Sequence, residues 1–455
     1  MEILSINPAN GKTIKKYSAH SDKQVDKKIQ QTHTAWLNWR TSPREERSRL
    51  LNNIATVLTE RKDELAKLMA LEMGKPLAQG VAEIEKCAAV CEYYATNAAE
   101  HLKDQLIKTD ALKSFVSFQP LGVVLAIMPW NFPFWQVFRF LAPALAAGNC
   151  GVLKHASNVP GCALAIQDIV KAAGFPQHVF QTLLVGSSKV DAIIANKHIQ
   201  AVTLTGSTGA GIKVAQKAGS LLKKTVLELG GSDPYIILED ADLELAAETC
   251  VNSRLINGGQ SCIAAKRFIV VKSVEKQFTK LFLQKMEAKK MGDPFEQGVD
   301  VGPQARIDLR DELHKQVRQA VKQGAKCILG GEIPKGVNAF YPPTILTKVT
   351  DSNIAFQEEL FGPVAAIISA KDENDAIRLA NKSVFGLGSA VFTKDKKRGE
   401  LIATTLIEAG SCFVNSLVKS DPRLPFGGIK QSGYGRELGM FGIHEFVNIK
   451  TVFIA

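Results

Sequence analysis

From residue 122 onward the apolar positions of this chain gather into short unbroken runs, "GVVLAIMP", "CGVLK", "FQTLLVG", "IQAVTLTGS" and "TVLELGG", with helical spacing between them. Such runs are strands buried on both faces, and the helical stretches between them are the crossovers of a parallel sheet. This is a doubly wound dinucleotide-fold pattern. A second alternating series starts near Pro234, at "YIIL", "RFIVV", "VAAIISA", "SAVF" and "SCFVN". The fold class predicted is therefore α/β, with two doubly wound parallel-sheet domains.

Before residue 122 the pattern is helical. Ser21-x-x-Gln24 and Ser42-Pro43-x-Glu45 both have the form of a capping box, the second with proline at the first helical position. Each opens an amphipathic run, and Gly74-Lys75-Pro76 closes the second. Two other segments alternate apolar with polar residues: "LKSFVSFQPLG" ahead of the first sheet and "HEFVNIKTVFIA" near the C-terminus. They predict a pair of exposed apolar strands whose edges need a partner, and hence oligomerisation through them.

Composition adds limits to this picture. With 455 residues, 45% of them apolar, the chain can bury large cores. Its charge of +11 arises from 56 basic and 45 acidic residues interspersed along the chain, which argues against a nucleic-acid partner and leaves a positive field for small anions. The opening "MEILSINPANGK" lacks a basic head followed by an apolar run, so no signal peptide is expected and a cytoplasmic location is. The most apolar stretch, Leu121 to Leu153, contains Asn131, Gln136, Arg139 and prolines, and is expected in a core, not a membrane. The eight cysteines are then expected as reduced thiols, with Cys87 and Cys91 packing a helix, and no cysteine stands at a zinc-like spacing from a histidine.

Cys262 stands apart from the other cysteines because "NGGQSC" surrounds it with small and amide-bearing residues. A thiol meant to be reached by a substrate needs such neighbours. Gly206 to Gly211 follows a strand and opens a helix, where backbone N–H groups can approach a phosphate or simply make a tight turn. Lys154 ends a strand in "VLKHAS", at the rim where open α/β sheets bind ligands; a solvated strand end is the plain alternative. Glu228 in "VLELGG" is a partly desolvated carboxyl suited to general-base work, or else a buried ion-pair member. Asn131 in "PWNFP" offers a fixed amide N–H to an oxyanion, or ties a turn together.

These signals combine. Through "PWNFP" at 129–133, "LTGS" at 204–207, "LELGG" at 227–231, "GQSC" at 259–262, "EELFGPV" at 358–364 and "PFGGIKQSGYGRE" at 425–437, the chain resembles the aldehyde dehydrogenase superfamily over its whole length. The resemblance implies a dinucleotide-binding domain at 1–98 and 121–230, a catalytic domain at 231–425 and an oligomerisation arm at 99–120 and 437–455, in a homodimer or homotetramer. It also implies Cys262 as nucleophile, Glu228 as general base, and Asn131 with the Cys262 backbone N–H as oxyanion hole. Lys154 and Glu359 would hold the riboses of a NAD or NADP cofactor, with Trp130, Gly206, Ser207 and Phe361 at its phosphates and nicotinamide end.

NAD-specific members of the family often carry glutamate three residues after the matching lysine, where this chain has Ser157, with His155 in place of a common proline. Serine does not repel a 2′-phosphate, so use of both cofactors is expected. His155 has a plainer alternative as a solvent-facing strand end. Arg139, an arginine within the apolar run "FWQVFRFLAPALAAG", should find an anion, either an internal carboxylate or the far carboxylate of a semialdehyde. The run "LAIMPWNFPFWQVFR" is most similar to bacterial NAD(P)-dependent succinate-semialdehyde dehydrogenases of this family. Many of those have a second arginine where this chain has Ile256, so Arg254, Arg423 or Lys419 is the expected substitute. A broad aliphatic or aromatic aldehyde dehydrogenase is the alternative within the same chemistry, and a cofactor-independent thiol esterase is the alternative outside it.

Overall fold

The computed structural model describes residues 2–336 and 338–455. All ten strands expected in the two series form. In the first sheet the strand Val123–Met128 is central. Cys150–His155 and Phe180–Thr182 lie in parallel to one side, Ile199–Thr205 and Lys224–Glu228 to the other. Chain direction from the centre therefore reverses between Val123–Met128 and Ile199–Thr205, and ligands of such sheets bind beyond the strand ends at that point. The segments that leave those ends carry Asn131, Lys154, Gly206 and Glu228. A short antiparallel strand, Gly433–Tyr434, completes the sheet beside Lys224–Glu228.

The second sheet has seven strands. Pro234–Ile237 lies between Arg267–Val271 and Gly388–Phe392, with Val364–Ala370, Thr344–Thr347 and the antiparallel Lys326–Leu329 beyond the former, and Ser411–Val414 beyond the latter. Alternate residues of each strand enter different cores: Ile236, Ile269 and Ile368 pack on one face, Tyr235, Phe268 and Ile367 on the other. Burial on both faces explains why these strands are apolar without a break. Thr344–Thr347 and Lys326–Leu329 escaped the sequence reading because each is only four residues long, with two or three apolar positions.

Four helices, Asp22–Trp39, Arg44–Glu60, Lys62–Met73 and Leu77–His101, form the N-terminal part, after a hairpin of Glu2–Ile6 with Thr13–Ser18 that the helical pattern hid. Ser21 and Gln24 make the expected reciprocal capping box. Ser42 does not. Its hydroxyl donates to the Trp39 carbonyl and accepts from Arg47 Nε, so the helix at Arg44 starts without a side-chain cap. Cys87 and Cys91 are fully buried in helix packing. Lys113–Pro120 and Val447–Ile454, the two alternating segments, pair with each other along their full length, and Gln105–Leu106 adds a third strand. Leu106, Ile449 and Phe453 remain exposed on this small sheet. Among the described residues no helix is long and apolar enough to cross a membrane.

Helix Trp135–Ala146 is buried at every position. It packs against Leu77–His101 and the first sheet, and its start is held by Glu83, whose Oε1 accepts from the N–H groups of Phe134 and Trp135 at 2.9 and 3.0 Å. A carboxylate at a helix start satisfies donors that have no partner within the helix. In the second sheet Arg267, fully buried, donates to the carbonyls of Ser232, Leu379 and Ala380. Arg267→Met should leave those carbonyls unpaired and lower stability by about 3 kcal/mol, read as an earlier urea midpoint; an unchanged midpoint would refute the assignment of a supporting role.

Candidate active site

The nucleophile candidate is held by an unusual backbone. Helix Leu243–Leu255 ends, and Asn257, Gly258 and Gly259 follow with φ of 53°, 60° and 76°. Glycine and asparagine are the residues that accept this left-handed region at low cost. A Cβ on Gly259 would stand 2.2 Å from the Gly362 carbonyl oxygen, and one on Gly231 would stand 2.8 Å from that of Cys262. The glycines of "NGGQSC" and "LELGG" thus let the segments at Gly362 and Gly231 approach the cysteine turn closely.

Hydrogen bonds lock this turn. Arg254 Nη2 donates to the Gly259 carbonyl at 2.7 Å, and Lys266 Nζ donates to the carbonyls of Ser261 and Cys262 at 2.8 and 2.7 Å. Asn131 Nδ2 donates to the Gln260 carbonyl at 3.1 Å, and Asn257 Nδ2 donates to the Asn131 carbonyl at 2.6 Å. The oxyanion-hole candidate and the cysteine turn are therefore one bonded unit. Lys266 also pairs with Glu359 at 3.1 Å. Sequence reasoning missed Lys266, Asn257 and Gln260; the one available signal was a lysine inside the apolar "IAAKRFIVV".

Cys262 is half-buried and lines two cavities. One, of about 310 Å³, brings together Trp130, Asn131, Gly206, Ser207, Glu359 and Phe361. Trp130 and Phe361 meet there edge to face at 5.8 Å. Ser207 caps helix Thr208–Gly219, and nothing stands within 4 Å of where a Cβ on Gly209 would be, so the helix start has room for an anion. Lys154 and Ser157 line a further cavity of about 720 Å³. Lys154 is buried and has no hydrogen-bond or ion-pair partner among the described residues, and desolvation lowers its pKa. An unpaired ammonium and an open helix start fit a phosphate-bearing dinucleotide. His155 is not in solvent as one expectation had it: it is buried, its ring tied to the Pro133 carbonyl and the Ala156 N–H, and burial pushes its pKa down to about 4.

The other cavity, of about 340 Å³, contains Cys262, Phe132, Arg139, Phe426 and Lys86. Arg139 has found its anion inside the protein, because its guanidinium pairs with buried Glu437 and its Nη2 reaches Thr205 Oγ1 at 3.4 Å. Of the other basic residues expected near the substrate, Lys419 lines this cavity and Arg254 and Arg423 do not. Arg254 is wholly buried behind the cysteine turn, bonded to Gly259, while Arg423 is exposed and paired with Asp421, and neither lines this cavity. Glu228 is 2% exposed with no partner at either oxygen, and burial, then the Glu437 charge, raise its pKa well above the carboxylate range. Glu228 does not line either cavity that Cys262 lines. A neutral carboxyl held by no hydrogen bond can turn without breaking one.

The geometry thus sets a reachable thiol beside an open cleft, with a buried, unpartnered carboxyl beyond it. The aldehyde dehydrogenase family profile matches residues 1–452, and the chain belongs to that family. It is 50% identical over 455 residues, all of both chains, to a protein of Synechocystis sp. named a probable NADP(+) succinate-semialdehyde dehydrogenase. It is 47% identical over 458 residues, again all of both chains, to the NADP(+) succinate-semialdehyde dehydrogenase 1 of Mycobacterium tuberculosis. The crystal structure of succinic semialdehyde dehydrogenase from Streptococcus pyogenes in complex with NADP+ superposes with a TM-score of 0.97 at 36% identity, covering 99% of each chain.

Burial pushes the Cys262 thiol up to about 12, against the smaller opposing pull of Arg139 and Lys266. Below that pKa the thiolate fraction grows about tenfold per pH unit. Alkylation of Cys262 by iodoacetamide in the cofactor-free enzyme, followed by peptide mass mapping, should therefore climb steeply from pH 7 to pH 9; a rate already level at pH 7 would contradict a resting thiol.

Proposed function

We propose that this protein oxidises succinate semialdehyde to succinate with NADP+, and with NAD+ as a second acceptor. The observation that carries this reading is Cys262 at the junction of an open cleft suited to a dinucleotide and a second cavity that contains basic side chains. The relatives named for this reaction support the substrate. Lys154 unpaired beside Ser157, with no acidic residue at position 157 to repel a 2′-phosphate, supports NADP+.

In this reading the Cys262 thiolate attacks the aldehyde carbon, and the new oxyanion is met by the second Asn131 Nδ2 hydrogen and the Cys262 backbone N–H. The tetrahedral carbon then holds a hydrogen that can leave as hydride, and a dinucleotide held by Lys154, Ser207 and Glu359 would supply the hydride acceptor. The resulting Cys262 thioester is hydrolysed by water whose proton passes to Glu228, after that side chain has turned toward the sulfur, away from Glu437, and has given up its own proton to solvent. Lys266 and Arg254 act as positioning residues through the carbonyls they hold.

The proposed domain division is a dinucleotide-binding unit at 1–98 and 121–230, a catalytic unit at 231–425 and an arm at 99–120 and 437–455. The exposed apolar residues of the three-stranded sheet support assembly into a homodimer or homotetramer. Eight cysteines without a disulfide support a reducing, cytoplasmic setting.

Asn131→Ala should keep NADP+ affinity and lower kcat about 100- to 1,000-fold, measured as NADPH formation with succinate semialdehyde and with butanal. A kcat within twofold of the parent enzyme would remove Asn131 from the oxyanion hole.

A further inference from the structure

The cavity that Cys262 shares with Arg139 has a wall of four basic side chains, Lys86, Arg139, Lys289 and Lys419, of which two are neutralised by the protein and Lys419 is exposed to solvent. Arg139 pairs with Glu437, and Lys289 with Asp300 at 3.4 Å. Lys86, on helix Leu77–His101, differs from both. Its ammonium donates to Ser420 Oγ at 2.7 Å and lies 4.1 Å from the centre of the Trp135 ring, with no carboxylate at ion-pair distance.

The charged groups that face Lys86 are engaged elsewhere. Glu83, on the same helix, pairs with Lys75; Arg139, on helix Trp135–Ala146, pairs with Glu437; Asp421, in the loop after strand Ser411–Val414, pairs with Arg423 at 2.7 Å. A hydroxyl and an aromatic face hold the ammonium in place without cancelling its charge. A half-buried ammonium left in this state is an anion site awaiting its anion.

We propose that Lys86 receives the far carboxylate of the substrate and is the specificity-determining cation of the cavity, an inference that rests on the semialdehyde reading above. Arg139, matched by Glu437, borders the same cavity, and Lys86 is its half-buried cation that no carboxylate of the described residues meets. The surroundings agree with this role. Burial, followed by the Arg139 charge, lowers the Lys86 pKa to about 8, so the ammonium is present at neutral pH and is lost above pH 8. A bound carboxylate would hold the proton on.

The test compares Lys86→Met, Lys86→Arg and Lys419→Met with the parent enzyme, each checked for NADP+ binding, using succinate semialdehyde and butanal as paired substrates and succinate as an inhibitor competing with aldehyde. Lys86→Met should lower the ratio of kcat/KM for the charged over the uncharged aldehyde by about 10- to 100-fold, chiefly through KM. Succinate inhibition should weaken in parallel, and Lys86→Arg should restore part of both. In the parent enzyme KM for succinate semialdehyde should rise above pH 8, and in Lys86→Arg it should stay level. A ratio preserved in Lys86→Met, an equal loss with both aldehydes, or a loss seen only in Lys419→Met would each overturn the proposal while leaving the semialdehyde reading intact. A parent enzyme with no preference for the charged aldehyde, but with succinate binding that depends on Lys86, would sustain the anion site and overturn the substrate reading.

Discussion

The site depends on a backbone that leaves the right-handed region for three successive residues. At φ of 53°, 60° and 76°, Asn257, Gly258 and Gly259 form a tight turn between helix Leu243–Leu255 and the cysteine. Left alone, that turn has carbonyls and N–H groups with no helical partners. Arg254, Lys266, Asn131 and Gln79 supply them, and each belongs to a different part of the chain: the preceding helix, the segment that enters the following strand, the loop after the first sheet's central strand, and an N-terminal helix. The consequence is a thiol fixed where the two sheets and the N-terminal helices meet.

The same accounting of partners separates structural from chemical groups. Lys75 with Glu83, Arg139 with Glu437 and Lys266 with Glu359 are charges matched within the protein. Breaking such a pair strands a buried charge, which is why these residues act on the site through what they hold in place. Among the described residues, three buried or half-buried ionisable side chains near the clefts lack a matching charge: Lys154 in the cavity at the end of its strand, Lys86 in the cavity with Arg139, and Glu228 beyond the cysteine. Two ammonium groups are thus left without a matching charge, and one neutral carboxyl must lose its proton before it can act as a base. Perturbed groups gathered around one reachable thiol mark a reaction centre.

Much of this was legible in the sequence. Both strand series form where apolar runs stood between helical stretches, because burial on two faces leaves a continuous signal. The motif residues Trp130, Asn131, Ser207, Glu359 and Phe361 gather in one cavity with Cys262. What escaped was whatever depends on pairing in space. Arg139 announced a need for an anion but not whether Glu437, almost 300 residues away, would meet it. Arg254 and Arg423 sat near the right motifs in sequence, yet one turns into the core and the other out to solvent. Lys86 carried no local signal, since its site is completed by Trp135 and Ser420 from distant segments.

The central claim is a covalent route through Cys262 that Glu228 completes. Its most direct measurement is peptide mass spectrometry of the Glu228→Gln enzyme, quenched after mixing with succinate semialdehyde and NADP+. The account predicts one acyl group on the peptide that contains Cys262, formed together with a burst of NADPH and slow to hydrolyse. Product release at the parent rate with Cys262 unmodified, or an acyl group on another residue, would contradict it.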